Sequence, residues 1–485
     1  MMAEAYQNYI GGEWVDAQSG AVFENINPAD ISETVGTHPE SGREDVLAAI
    51  RAAEEALPAW RAMSAPARGK ILFKAAQILE ERAEEVGRDL TREEGKTLPE
   101  GKGETLRSVE LLEWYAGEAR RLTGETYPSG QPNTFLYTVK EPLGVVGLIT
   151  PWNFPIAIPA WKALPALVAG NTVVLKPASL APISSVHLAR ALEEAGLPPG
   201  TLNLVTGPGS AVGDELAMNP AVKAVSFTGS NAVGTRLYGA VTGRGAKCQC
   251  EMGGKNPVIV LKDADVEKAV DLVVAGAMWS TGQKCTATSR VFVHRSIAQA
   301  FTDLLIEEVE ALKVGDGSKE GTQIGPAVDE RQLKSILGYI EIGKNEGAEI
   351  AAGGRRLTGG DYDKGYYVEP TVFTGVRSNM RIAQEEIFGP VVAVVPFETF
   401  DEAMDGANDV EYGLSASIVT GDLQRTFEYI DRIETGLVHV NAQTAGAEVQ
   451  VPFGGYKGSS TGTREQGSAA VEFYTQIKTV YLHFD

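Results

Sequence analysis

The sequence predicts an α/β fold in which parallel sheets are covered by helices on both faces. Three observations support this: a first third with helical periodicity, an alternation of short apolar strands with helices from Gly144 onwards, and a second round of that alternation after Gly253. Strands buried on both faces read as continuous apolar runs, as these do. At 485 residues the chain allows two to four domains and needs no disulfide to fold.

The first third is expected to be helical, because apolar residues recur at helical spacing in Asp45 to Met63, Ala65 to Glu94 and Lys102 to Leu122. The next segment, Thr123 to Val139, is polar and rich in Gly, Pro and Thr, which is typical of an exposed strand or hairpin.

Two rounds of βαβ pattern follow. The first is expected as strand Gly144–Ile149, helix Ile156–Ala169, strand Thr172–Leu175, helix Ile183–Ala195, strand Leu202–Val205, helix Val212–Met218 and strand Val222–Phe227. The second is expected as strand Val258–Leu261, helix Val266–Trp279, strand Arg290–Val293, helix Ile297–Leu312 and further α/β units to about Phe453. The tail alternates as Val480, Leu482 and Phe484, so we expect a strand that must pair with another strand, and the early hairpin of a neighbouring subunit is the candidate.

Charge and the N-terminus exclude several classes of function. Acidic residues outnumber basic ones 64 to 43, for a net charge of −21, which opposes binding to nucleic acid or anionic membranes. Met1 to Asp16 lacks the features of a signal peptide, so the cytoplasm is the expected compartment. The uncharged stretch between Glu141 and Lys162 is long enough to span a bilayer, but its prolines argue against a spanning helix.

Cys285 is the strongest candidate for chemistry among three cysteines. It lies between glycine, glutamine and small hydroxyl residues and apart from Cys248 and Cys250, and a thiolate there could attack a carbonyl group. The alternative is a small buried hydrophobic residue. Cys248 and Cys250 are interpreted as packing residues on a strand, because no further Cys or His at ligand spacing accompanies them, and no metal site is expected.

Two polar residues could serve such a thiol. Asn153, between two prolines, could donate to an oxyanion, or could merely form a turn. Glu251, among apolar residues and glycines, could act as a general base, or could be a glutamate at an exposed strand end. No Gly-x-Gly-x-x-Gly fingerprint of a dinucleotide site follows the first strand. Gly207–Ser210 and Phe227–Ser230 each join a strand to a helix, and each could bind a phosphate or be an ordinary tight turn.

Seven motifs together resemble the aldehyde dehydrogenase superfamily along essentially the whole chain. They are Pro151–Pro155 (PWNFP), Lys176–Ala178 (KPA), Phe227–Ser230 (FTGS), Glu251–Lys255 (EMGGK), Gly282–Cys285 (GQKC), Glu385–Pro390 (EEIFGP) and Pro452–Lys457 (PFGGYK). The resemblance implies a Rossmann-like coenzyme domain over residues 1–119 and 141–253, an α/β catalytic domain over 254–454, and a small β oligomerisation arm over 120–140 and 468–485.

The resemblance also implies roles for individual residues. Cys285 would be the nucleophile, Glu251 the base for deacylation, and Asn153 an oxyanion donor beside the backbone N–H of Cys285. The coenzyme would be bound by Thr150, Trp152, Lys176, Ser179, Gly209, Phe227, Gly229, Ser230, Val233, Met252, Glu386 and Phe388, and the aldehyde by Trp161, Arg107, Arg290, Val451 and Phe453. The expected partners are a small aldehyde and identical subunits in a homodimer or homotetramer.

Ser179 bears on the choice of coenzyme. Relatives that prefer NAD often have glutamate three residues after the lysine, where it repels a 2′-phosphate. Serine leaves Lys176 free to pair with that phosphate, so NADP is predicted to be preferred, with NAD possible.

Within the superfamily the chain is most similar to the branch that oxidises 2,5-dioxopentanoate (α-ketoglutaric semialdehyde). The similarity lies in Pro132–Thr134, Thr138–Thr150, Thr281–Arg290 and Glu472–Tyr481. Arg107 and Arg290 are the candidate cations for the carboxylate of such a substrate. Alternatives are succinate semialdehyde, a sugar aldehyde or broad specificity, transfer of the acyl group to CoA, and a catalytically silent binding protein on the same fold.

Overall fold

The computed structural model describes residues 4–485 and contains two large sheets. The first has eight strands in the spatial order Ser460–Thr461, Lys247–Glu251, Val222–Thr228, Val145–Ile149, Thr172–Lys176, Leu202–Leu204, Asn8–Ile10 and Glu13–Val15. Its five central strands are parallel, and the strands beyond them are antiparallel. The predicted parallel sheet is therefore confirmed.

The second large sheet has seven strands. Their order is Glu349–Ala352, Thr371–Thr374, Val391–Phe397, Thr288–His294, Asn256–Val260, Ser415–Val419 and Leu437–Val440. All neighbours are parallel except the first pair. Smaller sheets join Glu4–Ala5, Thr34–Pro39 and Val22–Ile26, then Tyr412–Gly413 and Tyr456–Lys457, then Thr475–His483, Thr134–Pro142 and Thr126–Tyr127.

Helices cover both faces of each large sheet. In the first sheet alternate residues of one strand enter different apolar clusters: Val146 and Leu148 join one, and Val145 and Ile149 the other. The α-helices are Arg43–Ala62, Ala65–Glu81, Ala83–Glu94, Leu98–Glu118, Ala157–Ala169, Ile183–Glu194, Asp214–Met218, Asn231–Gly243, Val266–Met278, Arg295–Glu310, Glu330–Asn345, Arg381–Gln384, Phe400–Asn408, Leu423–Arg432 and Gly467–Phe473.

The structure departs from the predicted elements at three places. The expected helix Ala65 to Glu94 is two helices that meet at Arg82. The tail strand Thr475–His483 pairs with Thr134–Pro142 of its own chain, rather than of a neighbour. The N-terminal strands were not predicted, although Gly11 and Gly12, both at positive φ, are a hairpin signal between two of them.

The carboxyl ends of the parallel strands form the edge that matters for function. Chain order reverses beside Val145–Ile149, whose neighbours are Thr172–Lys176 on one side and Val222–Thr228 on the other. Ligands of open α/β sheets bind at such a reversal, outside the carboxyl ends. Within residues 4–485 we find no helix long and apolar enough to cross a membrane. The domain limits expected from the sequence stay a prediction.

Candidate active site

Cys285 lies in a constrained loop between helix Val266–Met278 and strand Thr288–His294. Ser280 and Thr281 have φ of 54° and 55°, a left-handed conformation that residues with a side chain rarely adopt. The side-chain amide of Asn256 donates to the carbonyl of Cys285 at 2.8 Å. Such a loop presents the thiol in one fixed place.

Two cavities meet at Cys285, which lines both. The first, of about 230 Å³, lies at the carboxyl edge of the eight-stranded sheet. The second, of about 400 Å³, lies between the N-terminal helices and the loops of the second sheet. A group attached to the sulfur could therefore contact a ligand from either side.

Burial raises the pKa of the Cys285 thiol to about 12, and the carboxylates of Glu386 and Glu251 act in the same direction. The backbone amides of Thr286 and Cys285 oppose the shift. In the ligand-free chain the group is a thiol at neutral pH, so attack on a carbonyl requires a base or a change in local charge.

Asn153 lines the first cavity together with Cys285. Its side-chain amide donates to the carbonyl of Gln283 at 3.0 Å, two residues before the cysteine. The structure thus brings the candidate oxyanion donor to the nucleophile loop.

Glu251 ends the strand Lys247–Glu251 and is 2% exposed. Its carboxylate accepts hydrogen bonds from Gln249 (3.0 Å) and from Ser460. Burial raises the pKa of Glu251 well above its usual range, and Glu465 adds to the shift. A raised pKa suits a general base, but Glu251 must leave these partners to reach a water at the thiol.

The residues expected to bind coenzyme gather at the carboxyl edge of the first sheet. Thr150, Lys176 and Phe227 lie at strand ends. Those that line the first cavity are Trp152, Gly229, Ser230, Met252, Glu386 and Phe388; Ser179, Gly209 and Val233 lie in the turns and helices that follow the strands. Arg331 and Gln332 line the same cavity and were missed, because the sequence around them is that of an ordinary amphipathic helix.

Glycines let Glu386 approach this cavity. A Cβ on Gly253 would collide with the Glu386 carboxylate, and one on Gly254 would collide with the carbonyl of Cys285. The Glu386 carboxylate accepts from the backbone N–H of Gly254 at 3.0 Å, and burial raises its pKa to about 7. The two glycines of the EMGGK motif thus permit a close approach of the two halves of the site.

Lys176 and Ser179 lie at the far end of the same edge. The ammonium of Lys176 donates to the carbonyl of Pro177 at 2.8 Å, and burial lowers its pKa to about 8. The hydroxyl of Ser179 donates to the carbonyl of Gly207 at 3.2 Å. Thr150 contributes a buried hydroxyl with no hydrogen-bond partner within residues 4–485. This polar edge fits a ligand rich in hydroxyl and phosphate groups.

The second cavity contains three of the five residues expected to bind the aldehyde. Trp161 and Phe453 pack with ring centroids 5.3 Å apart on its wall, and Arg107 lies on the same wall. Lys284, Trp279 and Gln443 also line it and were missed. Lys284 belongs to the GQKC motif, which offered a signal, whereas nothing in the local sequence marks Trp279 and Gln443.

Two predicted aldehyde-binding residues lie elsewhere. Val451 is 37% exposed and falls outside the lining of the second cavity. Arg290 is fully buried, and its guanidinium donates to the carbonyls of Lys255, Gly406 and Ala407 at 2.8 to 3.1 Å. With these bonds made it cannot bind a substrate carboxylate, contrary to the prediction.

The part of the chain from residue 4 to 485 contains no cluster of three His, Cys, Asp or Glu side chains placed to hold a metal ion. Cys248 and Cys250 are buried free thiols whose sulfurs lie 3.8 Å apart.

Comparisons with known proteins agree with this geometry. Residues 14–480 match the model of the aldehyde dehydrogenase family. The chain is 52% identical over 98% of both chains to an alpha-ketoglutaric semialdehyde dehydrogenase of Bacillus subtilis, and 45% identical over 99% of both to a 2,5-dioxopentanoate dehydrogenase of Saccharolobus solfataricus. The solved structure of an aldehyde dehydrogenase from Bacillus cereus in complex with NAD+ superimposes with a TM-score of 0.96, at 38% identity over 99% of this chain and 97% of that one.

Proposed function

The chain belongs to the aldehyde dehydrogenase family, and we propose that it oxidises the semialdehyde 2,5-dioxopentanoate to its dicarboxylic acid, with NADP as the preferred coenzyme. One observation carries the proposal: Cys285 lines two cavities, one at the carboxyl edge of the first sheet and one that includes a cationic side chain, Arg107. A nucleophile placed between a coenzyme and an anionic aldehyde needs this arrangement.

The first half of the reaction forms a covalent adduct. The sulfur of Cys285 bonds to the aldehyde carbon, and the aldehyde oxygen becomes an oxyanion. The thiol proton passes to solvent water, either directly or by way of Glu251, which is again a carboxylate before the second half begins. The amide of Asn153 and the backbone N–H of Cys285 stabilise that oxyanion. The nicotinamide coenzyme supplies the acceptor for the hydride that leaves the same carbon, so that a thioester remains on Cys285.

The second half releases the acid. Glu251 takes a proton from water, whose oxygen bonds to the thioester carbon, and the bond from that carbon to the Cys285 sulfur breaks. The raised pKa of the buried Glu251 carboxyl supports this role. Its hydrogen bonds to Gln249 and Ser460 are those of a resting position, which it leaves during the reaction.

Lys176 and Ser179 would decide between the two coenzymes. A 2′-phosphate beside the ammonium of Lys176 would gain a charged hydrogen bond, and Ser179 presents no opposing charge. Glu386 and Phe388, with Trp152 packed edge-on to Phe388 at 5.3 Å, would hold the nicotinamide ribose. Gly229, Ser230 and Met252 would line the remainder of the coenzyme.

Arg107 would bind the substrate carboxylate at the wall of the second cavity. Its one ion-pair partner in the described chain is Glu110, at a long 3.4 Å, so most of its five N–H donors are free for a ligand. Succinate semialdehyde would use the same cation, whereas a sugar aldehyde or an aliphatic aldehyde would not. Trp161 and Phe453 supply the apolar wall for the carbon chain.

An oligomer would use the arm formed by residues 120–140 and 468–485. Ile477, Tyr481 and Leu482 on the tail strand are 52% to 73% exposed. Large apolar side chains exposed together mark an interaction surface. We propose a homodimer or homotetramer that works in the cytoplasm, where its three free thiols stay reduced.

Transfer of the acyl group to CoA is the rival reaction. It would use Cys285 and Asn153 in the same way, but a base that activates water would waste the thioester. The presence of Glu251 therefore favours hydrolysis, and a silent binding protein would need none of the three residues.

A substrate and coenzyme panel tests the proposal. The initial rate of coenzyme reduction would be measured with 2,5-dioxopentanoate, succinate semialdehyde, a sugar aldehyde and pentanal, each with NADP and with NAD. We expect the highest kcat/KM for 2,5-dioxopentanoate with NADP and no dependence on CoA. A higher kcat/KM for pentanal than for 2,5-dioxopentanoate would refute the proposed substrate. A strong preference for NAD would refute the proposed preference for NADP.

A further inference from the structure

We propose that the helix Leu98–Glu118, together with Lys96 just before it, positions Asn153 and Cys285 relative to each other. Lys96 and Glu104 hold the loop of Asn153, and Glu100 holds the loop of Cys285. The inference deepens the proposed function and rests on the role assigned there to Asn153. All three side chains line the second cavity, but the mechanism above gives none of them a contact with the reacting atoms or the coenzyme, and their hydrogen bonds run to the two loops.

Glu104 holds the end of the Asn153 loop. One carboxylate oxygen accepts from the backbone N–H groups of Ile156 and Ala157, at 3.1 and 3.2 Å. These amides lie at the start of helix Ala157–Ala169, where N–H groups lack partners within the helix and a negative charge is favourable. The point at which the loop enters its helix is therefore fixed by a side chain from a different helix.

Lys96 holds Asn153 itself. Its ammonium pairs with the other oxygen of Glu104 at 2.6 Å and donates to the backbone carbonyl of Asn153. It also lies 4.0 Å from the centre of the Phe154 ring. Both side chains of the pair are 2% exposed. Although burial opposes the charge, Glu104 and Glu94 raise the pKa of Lys96, so the ammonium stays charged.

Glu100 holds the nucleophile loop, one helical turn before Glu104. One of its oxygens accepts from the backbone N–H of Ser280 at 2.7 Å and from its hydroxyl at 3.2 Å. The other accepts from Thr97 at the start of the helix. Ser280 is one of the residues with positive φ before Cys285, so this contact supports a conformation that would otherwise be unfavourable.

Residues four apart share one face of a helix, so Glu100 and Glu104 contact two loops that come from different sheets. The amide of Asn153 completes the arrangement by its 3.0 Å bond to Gln283. A rigid helix thereby sets the distance between the oxyanion donor and the thiol. A displacement of about 1 Å can lower the rate about 100-fold, so buried charged contacts that restrict the distance between the Asn153 amide and the Cys285 thiol would raise the rate.

A double-mutant cycle on the full-length enzyme tests the inference. We expect Lys96→Met to lower kcat about 10- to 100-fold, with KM changed less than about threefold, because it displaces an oxyanion donor. In an Asn153→Ala background the same substitution should cost less than about threefold, because its target is gone. Lys102→Met is the matched control, since Lys102 is 48% exposed on the same helix and pairs with Glu84; its kcat should not change.

Other variants keep the test decisive. Glu104→Gln retains an oxygen for the two amides but loses the charge that pairs with Lys96. It should give the losses expected for Lys96→Met, and it replaces Lys96→Met in the cycle if that variant does not fold. Glu100→Gln should lower kcat in both backgrounds, because it acts on the Cys285 loop. Equal losses from Lys96→Met with and without Asn153 would overturn the inference. A loss below about fivefold from Asn153→Ala alone would instead refute the proposed role of Asn153.

Discussion

Replacing Arg107 by Met removes the cation that we assign to the substrate carboxylate while keeping an unbranched side chain on the cavity wall. Two unit charges at about 4 Å attract by about 4 kcal/mol in an effective dielectric of about 20. Desolvation offsets part of this, and the Arg107 side chain is 26% exposed. Hydrogen bonds to charged groups contribute about 1.5–3 kcal/mol net, so kcat/KM for 2,5-dioxopentanoate should fall about 10- to 150-fold.

The assay compares an anionic with a neutral aldehyde of the same carbon-chain length. For pentanal, kcat/KM should be unchanged or slightly higher in Arg107→Met, because no charge is recognised. Raising the ionic strength should lower kcat/KM for 2,5-dioxopentanoate in the parent enzyme and have little effect in the variant. Arg88→Met is the control, because Arg88 is 63% exposed, pairs with Glu84 and has no role in the proposed site. Equal losses with both aldehydes would show that Arg107 does not recognise the carboxylate.

Three further predictions concern the coenzyme and the assembly. Ser179→Glu should lower kcat/KM for NADP about 10- to 100-fold while retaining NAD, because it places a carboxylate near the 2′-phosphate; an unchanged ratio of the two would contradict it. The Kd of NADP, measured by fluorescence titration, should rise up to about tenfold per pH unit above pH 8 while that of NAD stays constant, because Lys176, whose pKa burial lowers to about 8, must be protonated to hold a phosphate. A flat NADP curve would exclude Lys176 as its partner. Tyr481→Asp, which puts a charge on an exposed aromatic position, should reduce the mass measured by light scattering, whereas Lys334→Met, at a 68% exposed position outside the arm, should leave it unchanged.

The parallel sheets could be predicted because their strands are continuous apolar runs separated by helices. The break between two helices at Arg82 could not be predicted, because the sequences on both sides are strongly helical and only tertiary packing ends one helix there. The N-terminal strands are short and polar on their exposed sides, so their signal lies in the turn at Gly11 and Gly12 rather than in periodicity.

Asn153 and Gly229 lie in turns that follow strands, and such turns converge at one sheet edge. Cys285 precedes a strand, and its motif rather than its place in the strand order marked it. All three residues line one cavity. Arg290 could not be placed from the sequence: it lies five residues after the cysteine, but side chains alternate along a strand and this one points into backbone carbonyls. Lys96 and Glu104 were missed because, apart from each other, they bind backbone atoms, which a sequence does not reveal.

In the proposed mechanism, oxidation proceeds through the sulfur of Cys285. Methyl methanethiosulfonate adds a small thiomethyl group to a thiol, and peptide mapping gives the modified fraction of each cysteine. We predict that activity falls in proportion to the modified fraction of Cys285, reaches zero at full modification, and returns when dithiothreitol removes the group. Activity that survives full modification of Cys285, or a loss that follows Cys248 or Cys250 instead, would contradict the claim.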